Sequence, residues 1–368
     1  MLEDELVGSG RVRFFPMCDY VGDGAGAHAF ESRLTGATTD VRVRRRVVDT
    51  THLECSVPAT HRPSFTCDED AVVVPVGALA SVGEAPSGFT ILGSGKTAMD
   101  ACTWLLDNGV DPDRIRWIRP REPWMVDRSS VQPHDLLGST IEGFAVTVEV
   151  LAQGESVAEV LAGLEACGQL MRLDQQVEPT MFRGAIVSRN ECDGLRQIER
   201  VERRGRVTHI GGDRIAMTGG EVPTTRGELH VDCTARGLGD AAVRPIFEES
   251  RITLQSLTGG FTTYSAALIG FVEARRDDDV EKNRLCPPTA PPTVPIDFIS
   301  FYRSTLNTAA LHGGEPDLAA FQDEARLSLI NGLSARLAEP QILGAVERWM
   351  TSADDALGNT NRLLASAQ

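Results

Sequence analysis

Residues 89–121, FTILGSGKTAMDACTWLLDNGVDPDRIRWIRPR, decide the reading of the fold. Phe89-Thr90-Ile91-Leu92 has the apolar, β-branched character of a short buried strand. Gly93-x-Gly95-x-x-Ala98 follows at once, Met99 to Leu106 reads as a helix, and Ile115-Arg116-Trp117-Ile118 reads as a second strand. Each small residue has a steric reason to be there. Gly93 permits the tight turn, Gly95 lets the backbone approach a pyrophosphate, and Ala98 lets the helix lie close on the strand. The helix N-terminus adds unbonded N–H groups and the positive end of its dipole. With Ser94, Lys96 and Thr97 filling the turn, Gly93 to Ala98 are the predicted dinucleotide contacts. A glycine-rich turn that binds nothing is the alternative, and the two flanking strands argue against it. A P-loop, suggested by Gly95-Lys96-Thr97, fails on spacing, because its first glycine would fall at Thr90, inside the strand.

The end of the second strand bears on which dinucleotide binds. A site for NAD usually places an acidic residue there to accept from the ribose 2′-OH, whereas a site for NADP places arginine near the 2′-phosphate. Here the strand runs into Arg119-Pro120-Arg121. Two planar guanidiniums suit a doubly charged phosphate, so NADPH is the expected cofactor and Arg119 and Arg121 its selectors. The alternative is that both arginines are solvated loop residues.

With 368 residues, 42% hydrophobic and 24% charged, the chain is long enough for more than one core. A formal net charge of −16 argues against nucleic acid or an anionic membrane as a partner, since both would be repelled. A small-molecule substrate is expected instead. No apolar run reaches membrane-spanning length, and the acidic start MLEDELVGSG lacks the apolar stretch of a signal peptide, so a cytoplasmic location is expected. The eight cysteines form no C-x-x-C pair, the histidines form no H-E-x-x-H, and no Gly-x-Ser-x-Gly is present. No metal site and no catalytic residue is therefore assigned. His28, His52, His61 and His134 read as ordinary surface or core histidines.

Before residue 89 the sequence reads as strand-rich, with Val12-Arg13-Phe14-Phe15, a Gly22 to Gly26 turn, Val41-Arg42-Val43-Arg44 and Ala71 to Val76. The turn has the wrong spacing for a second fingerprint, and Arg42, Arg44, Arg45 and Arg46 read as the wet face of a strand. Beyond Arg121, Pro123 to Val126 leads into a loop, and Ser156 with Glu159 forms a capping-box pattern before a helix bearing Val157, Val160, Leu161 and Leu164. Short alternating pieces over 198–218 predict a β-meander. Leu229 to Gly237 reads as an apolar strand ending in small residues, suited to passing close beside a cofactor or another backbone. Ser265 to Ala274 reads as a tightly packing helix and the prolines from 287 to 295 as a stiff linker. The stripe Leu318, Phe321, Ala325, Leu329 and Leu333, and a helix starting at Pro340, read as core or as contact in a homo-oligomer.

Together, Gly93-Ser94-Gly95-Lys96-Thr97-Ala98-Met99-Asp100 and Val231-Asp232-Cys233-Thr234-Ala235-Arg236-Gly237 resemble the flavin-containing monooxygenase-like flavoproteins. The likeness is strong over about residues 89–128 and moderate around 229–240. In that group an NADPH domain is inserted into an FAD domain, and the chain returns to the latter through a strand ending in small residues. The resemblance implies an α/β fold in which a Rossmann-type NAD(P)-binding domain is inserted in a partial FAD-type domain, with a C-terminal helical region. It implies a partial FAD-type domain over 1–88, the NADPH domain with a β-rich part over 89–228, a return over 229–285, and a proline-rich linker and helical tail over 286–368. It further implies cofactor contacts at Thr234, Ala235 and Gly237, and chemistry in which NADPH reduces FAD, which then reduces or oxygenates a small substrate.

The chain departs from the family in having no strand and G-x-G-x-x-G ahead of Gly93. Met1 accordingly reads as falling partway through the FAD domain. The start then lies upstream, or the chain is an inactive fragment or degenerate relative, or the flavin is held differently. Two other readings stand beside the flavoprotein. One is a flavin-free NADP-binding protein. The other is a flavin-free dehydrogenase, which is weaker because Tyr20, Tyr264 and Tyr302 have no lysine four residues on.

Overall fold

The computed structural model describes residues 2–22, 26–239, 241–257 and 261–367. Asp23, Gly24 and Ala25 of the predicted Gly22–Gly26 turn lie outside them. The chain forms two compact units, one of Met1–Asp49 with Phe247–Ile252 and one of the remainder. Where the sequence suggests divisions after 88, 228 and 285, the compact units divide at Asp49 and on either side of Phe247–Ile252.

In the smaller unit Cys18–Tyr20, Ala29–Ser32 and Thr38–Asp40 form an antiparallel sheet, with the Phe15 and Phe30 rings 4.2 Å apart. Two predicted strands are corrected here. Val12 to Phe15 is irregular, its Val12, Phe14 and Phe15 side chains exposed, because no strand among the described residues pairs with it. Val41 to Arg44 is also irregular, and with arginine at 42, 44, 45 and 46 the segment keeps its side chains largely in water.

The larger unit is mixed α/β and is built on five parallel strands. These are β1 (Val73–Pro75), β2 (Gly88–Leu92), β3 (Ile115–Ile118), β6 (Val201–Glu202) and β7 (Glu228–Asp232), in the order β6-β3-β2-β7-β1. Every residue of β2 is buried, which is why Phe89 to Leu92 reads as an unbroken apolar run rather than an alternating one. Leu92 pairs with Ile118 on one side and Asp232 on the other, so the carboxyl ends of β3, β2 and β7 are level. Helix α1 (Lys96–Asp107) runs back from that edge and buries Ala98, Met99, Cys102 and Leu105 against Ile91, Ile115, Trp117 and Val231. Ala98 has no exposed surface, so any larger side chain would push the helix off the sheet.

Two further layers complete the unit. The meander expected over 198–218 lies further on, as Val207–Ile210, Arg214–Met217 and Gly220–Pro223 packed on Leu92 and Ile118, while Val201 belongs to β6 of the parallel sheet. Pro123 to Val126 forms β4 (Pro123–Asp127), pairing in parallel with β5 (Met181–Val187), and where a loop is expected between Val126 and Ser156 the chain instead forms a helix over Leu137–Gln153. These strands lie with α2 (Leu137–Gln153), α3 (Ile296–Gly313) and α4 (Pro340–Ser366) around Trp124, Val148, Phe182, Phe298 and Ala356. Ser156 caps the helix Val157–Ala166 as expected, accepting from the Glu159 amide. The predicted stripe from Leu318 to Leu333 is not one helix. Helix Pro316–Glu324 stops, and a short helix Leu333–Arg336 begins after Gly332, whose left-handed φ of 74° breaks the run. No helix of the described residues is long and apolar enough to cross a membrane.

Gly93 fixes the edge where these layers meet. Its φ is 128°, and a Cβ there would stand 2.8 Å from the Cys233 carbonyl oxygen. Both the backbone conformation and the contact with β7's continuation therefore require glycine. Gly93→Ala is expected to cost about 1–3 kcal/mol of stability, read as a lowered urea midpoint with unchanged slope. An unaltered midpoint would show that the approach is not as tight as described.

Candidate functional site

A cleft of about 1120 Å³ lies at the carboxyl ends of β2, β3 and β7. Its floor is the Gly93–Thr97 turn. Gly95 serves as the N-cap of α1 with extended backbone and offers no side chain to the first amides of the helix, so the N–H groups of Lys96 and Thr97 face outward unbonded by the helix. A Cβ on Gly95 would meet nothing within 4 Å, so the space beside this backbone belongs to the cleft. The Ser94 hydroxyl accepts from the Arg121 amide at 3.3 Å, tying the turn to the end of β3.

Among the described residues six cationic side chains line the cleft, Lys96, Arg121, Arg128, Arg183, Arg206 and Arg236, and no Asp or Glu does. In a chain of net charge −16 this is a marked segregation of sign. Lys96 is paired with Asp100, and Arg128 with Glu191. Among the described residues, no carboxylate pairs with Arg121, Arg183 or Arg206. The Arg183 guanidinium donates to the backbone oxygens of Arg236 and Leu238, at 2.8 and 3.4 Å. Burial holds the Arg121 guanidinium below its ordinary value, and the like charges of Arg206, Arg183 and Arg236 add to the effect. It remains a cation at any accessible pH, so its neighbours leave an excess of positive charge that a bound anion would relieve.

The two arginines of the Arg119-Pro120-Arg121 run have separate positions. Arg121 lines the cleft. Arg119 is 3% exposed, its Nε 2.8 Å from Glu122 Oε1 and its guanidinium 4.7 Å from the centroid of the Trp117 ring. Glu122 also takes the Arg203 Nε at 2.6 Å. Arg119 is thus held inside the protein by a buried ion pair and a ring, and does not line the cleft.

Arg183 and Arg206 were not legible as partners of Arg121. Arg183 reaches the cleft because β5 carries a bulge: Phe182 pairs with Trp124 and Ala185 with Met125, leaving Arg183 and Gly184 as extra residues. Gly184, with φ 65°, takes the left-handed conformation of the kink. Arg206 enters one residue before the first meander strand.

The small-residue segment after β7 forms the opposite wall, with Thr234, Ala235 and Gly237 all lining the cleft. Asp232, 3% exposed, accepts through Oδ1 from both the Thr234 amide at 2.8 Å and the Thr234 hydroxyl at 2.6 Å. His61, read from sequence as ordinary, faces this turn. Its Nε2 lies 3.2 Å from Thr234 Oγ1 and 3.6 Å from Asp232 Oδ2, which makes it the one histidine among the lining residues. Cys233 borders the cleft but is 5% exposed and packed in the core, where burial first and Asp232 second push its thiol up to about 12, so it is no nucleophile. The arrangement can hold a phosphorylated ligand by backbone N–H groups at one end and guanidiniums at the other, with an imidazole and a hydroxyl between walls of small residues.

No protein-family profile matches the chain. It is 35% identical, over 367 residues, to uncharacterized protein Rv2000 of Mycobacterium tuberculosis (strain ATCC 25618 / H37Rv) and equally to uncharacterized protein MT2056 of Mycobacterium tuberculosis (strain CDC 1551 / Oshkosh) and uncharacterized protein Mb2023 of Mycobacterium bovis (strain ATCC BAA-935 / AF2122/97). The similarity covers 99% of this chain and 67% of the length of each of those proteins. The chain belongs to the family of these mycobacterial proteins.

Proposed function

We propose that the cleft binds NADPH and that the chain is the nicotinamide-cofactor-binding part of an oxidoreductase of the flavin-containing monooxygenase type. The observation that carries the reading is the group Arg121, Arg183 and Arg206, which no carboxylate among the described residues pairs, set beside an open glycine turn at the carboxyl edge of a parallel sheet. The order β6-β3-β2-β7-β1 supports it. From β2 the chain crosses to β3 on one side, while β7 lies on the other, and ligands of Rossmann-type sheets sit at such a switch point. In this reading the amides at the start of α1 face the pyrophosphate, Gly95 leaves room for it, and Arg121 with Arg206 takes the 2′-phosphate. NADPH supplies a hydride when bound. The protein's own part is to fix the cofactor's orientation, with His61 and Thr234 as the polar groups of the opposite wall.

A flavin finds less here. Among the described residues, the Gly93–Gly95 turn is the one place where a strand enters a helix through a G-x-G turn, so the adenosine diphosphate of FAD has no second cradle and no step is assigned to it. That single cradle favours a second reading, an NADP-binding protein without flavin. Incubation with FAD followed by desalting separates the two. Retention of about one flavin per chain supports the flavoprotein, and retention of none supports the flavin-free protein.

Three substitutions test the cleft. Arg121→Ala is expected to weaken NADPH by about tenfold or more while leaving NADH nearly unchanged, since one charge-assisted contact contributes on the order of 1.5–3 kcal/mol. Equal loss for both cofactors, or for neither, removes Arg121 from selection. Arg119→Ala, in contrast, leaves Glu122 to Arg203 and removes the guanidinium packed on Trp117, and is expected to cost on the order of 1–3 kcal/mol of stability without a selective effect on NADPH. Gly95→Val projects a branched side chain where the pyrophosphate would lie and is expected to weaken both cofactors together. Unchanged titrations of both would exclude the turn as the phosphate cradle.

A further inference from the structure

Beside the cleft lies a second cavity of about 290 Å³, near the low end of the ~300–1,000 Å³ usual for small-molecule sites. Its walls take five of the thirteen phenylalanines, two of the three tyrosines and one of the four tryptophans of the chain. Four of these rings run in unbroken contact. The centroids of Phe182 and Phe298 are 5.2 Å apart, those of Phe298 and Tyr302 4.7 Å, and those of Tyr302 and Phe301 5.2 Å. The sequence of α3 explains the wall. Phe298, Phe301, Tyr302, Thr305, Ala309 and His312 recur at helical spacing, so one face of that helix borders the cavity along most of its length. Phe301, Tyr302 and Trp349 are only half-buried, so packing within the protein does not seal these rings.

The chamber carries no charge. Among the described residues no Asp, Glu, Lys or Arg lines it, and the titratable groups that do are neutral. Burial pushes the Tyr264 and Tyr302 phenols up to about 12 and lowers the pKa of His312. His312, fully buried, contacts the Leu285 carbonyl through Nε2 at 2.8 Å. A carbonyl only accepts, so Nε2 carries the proton and Nδ1 accepts from the Gln322 amide at 2.9 Å. Both nitrogens of the ring are thus engaged within the protein. An ionised molecule would lose its hydration on entering the chamber and meet no counter-charge, whereas the cleft beside it gathers arginines. The two cavities therefore sort ligands by charge.

The chamber adjoins the cleft. Gly184, Ile186 and Pro292 line both. Gly184 sits at the kink of the β5 bulge, and a Cβ there would meet nothing within 4 Å, so the shared wall is thin at that point.

We infer that this chamber is a second ligand site, and that it takes a neutral, ring-bearing apolar molecule held by contact with the aromatic walls and by no ion pair. Contact of ring with ring adds to the gain from burying apolar surface, which favours a ring system over an open chain. Taken with the cleft as the cofactor site, this molecule is the substrate. That assignment rests on the reading of the cleft, whereas binding in the chamber does not.

The test uses the whole chain without added cofactor. N-phenyl-1-naphthylamine, a neutral probe that fluoresces in apolar sites, is displaced by 2-ethylnaphthalene and, separately, by 2-naphthoate, which has the same rings and a negative charge. Wild type is expected to take up about one probe per chain and to release it to the hydrocarbon at a concentration at least about tenfold lower than to the carboxylate. Ala309→Phe and, one turn earlier, Thr305→Phe each place a ring in the chamber from α3 and are expected to abolish uptake. The double variant Phe301→Leu/Tyr302→Leu keeps the wall apolar but removes two of its rings, and is expected to weaken 2-ethylnaphthalene by about threefold or more. Absence of saturable uptake by wild type, or equal displacement by the two competitors, would overturn the inference even if the filling variants fail to fold. Unchanged uptake by folded Ala309→Phe and Thr305→Phe would place the probe elsewhere and overturn it too, and an unchanged hydrocarbon affinity in the double variant would remove the ring preference. An NADPH titration on the same samples reads the cleft separately. Probe uptake without NADPH binding would leave the chamber and remove the cofactor reading, and the reverse would remove the chamber alone.

Discussion

Three strand ends meet at Gly93, and the rest of the site depends on that meeting. The Gly93 amide donates to the Ile118 carbonyl of β3 at 3.0 Å, the Cys233 amide donates to Leu92 at 3.0 Å, and the Trp117 indole donates to the Gly93 carbonyl at 2.7 Å. With the Cys233 carbonyl close behind it, Gly93 leaves no room for a side chain. β3 and β7 can therefore continue past β2 on either side and place Arg121 and Thr234 on facing walls. The same contact turns the chain into α1, whose first amides open on the space between those walls. One steric requirement thus sets the floor and both sides of the cleft.

Charge is arranged as economically as shape. The exterior is acidic overall, while the cleft gathers arginines from β3, from the β5 bulge, from the start of the meander and from the segment after β7. Holding Arg121, Arg183 and Arg206 together without a carboxylate among the described residues is costly, because like charges held together repel. Arg119 shows how the fold treats a guanidinium meant for structure: it is buried on Trp117 and neutralised by Glu122. Arg121, two residues later, has neither. The contrast between the neighbours is the strongest local argument that Arg121 is kept for something outside the chain.

What could be read from the sequence follows the range of the interactions. The strand–glycine–helix–strand unit is local, and Ile115–Ile118 falls where the spacing predicts it; Pro340 opens α4 because proline is favoured in a first helical turn. α2 was not legible because it is buried on more than one side: Thr140, Ile141, Ala145, Thr147 and Val148 are all inaccessible, which blurs the helical period, and its β-branched residues mimic a strand. The convergence of Arg183 and Arg206 on Arg121 depends on a bulge and a meander more than sixty residues away, and no pattern around Arg121 encodes it. Arg119 and Arg121 look alike in sequence. Their difference arises from Glu122 folding back on Arg119, which only the packed structure reveals. His61 carries no motif, and its place beside Thr234 comes from a loop whose path is set by tertiary contacts.

The central claim, that the arginine-lined cleft recognises a 2′-phosphorylated adenosine, is most directly tested by calorimetric titration of the whole chain with 2′,5′-ADP and with 5′-ADP at fixed ionic strength. The account predicts a single site for 2′,5′-ADP, at least about tenfold tighter than for 5′-ADP and weakened by added salt, as expected for a ligand held by charge-assisted bonds. Equal affinity for the two nucleotides, or no binding of either, would contradict it.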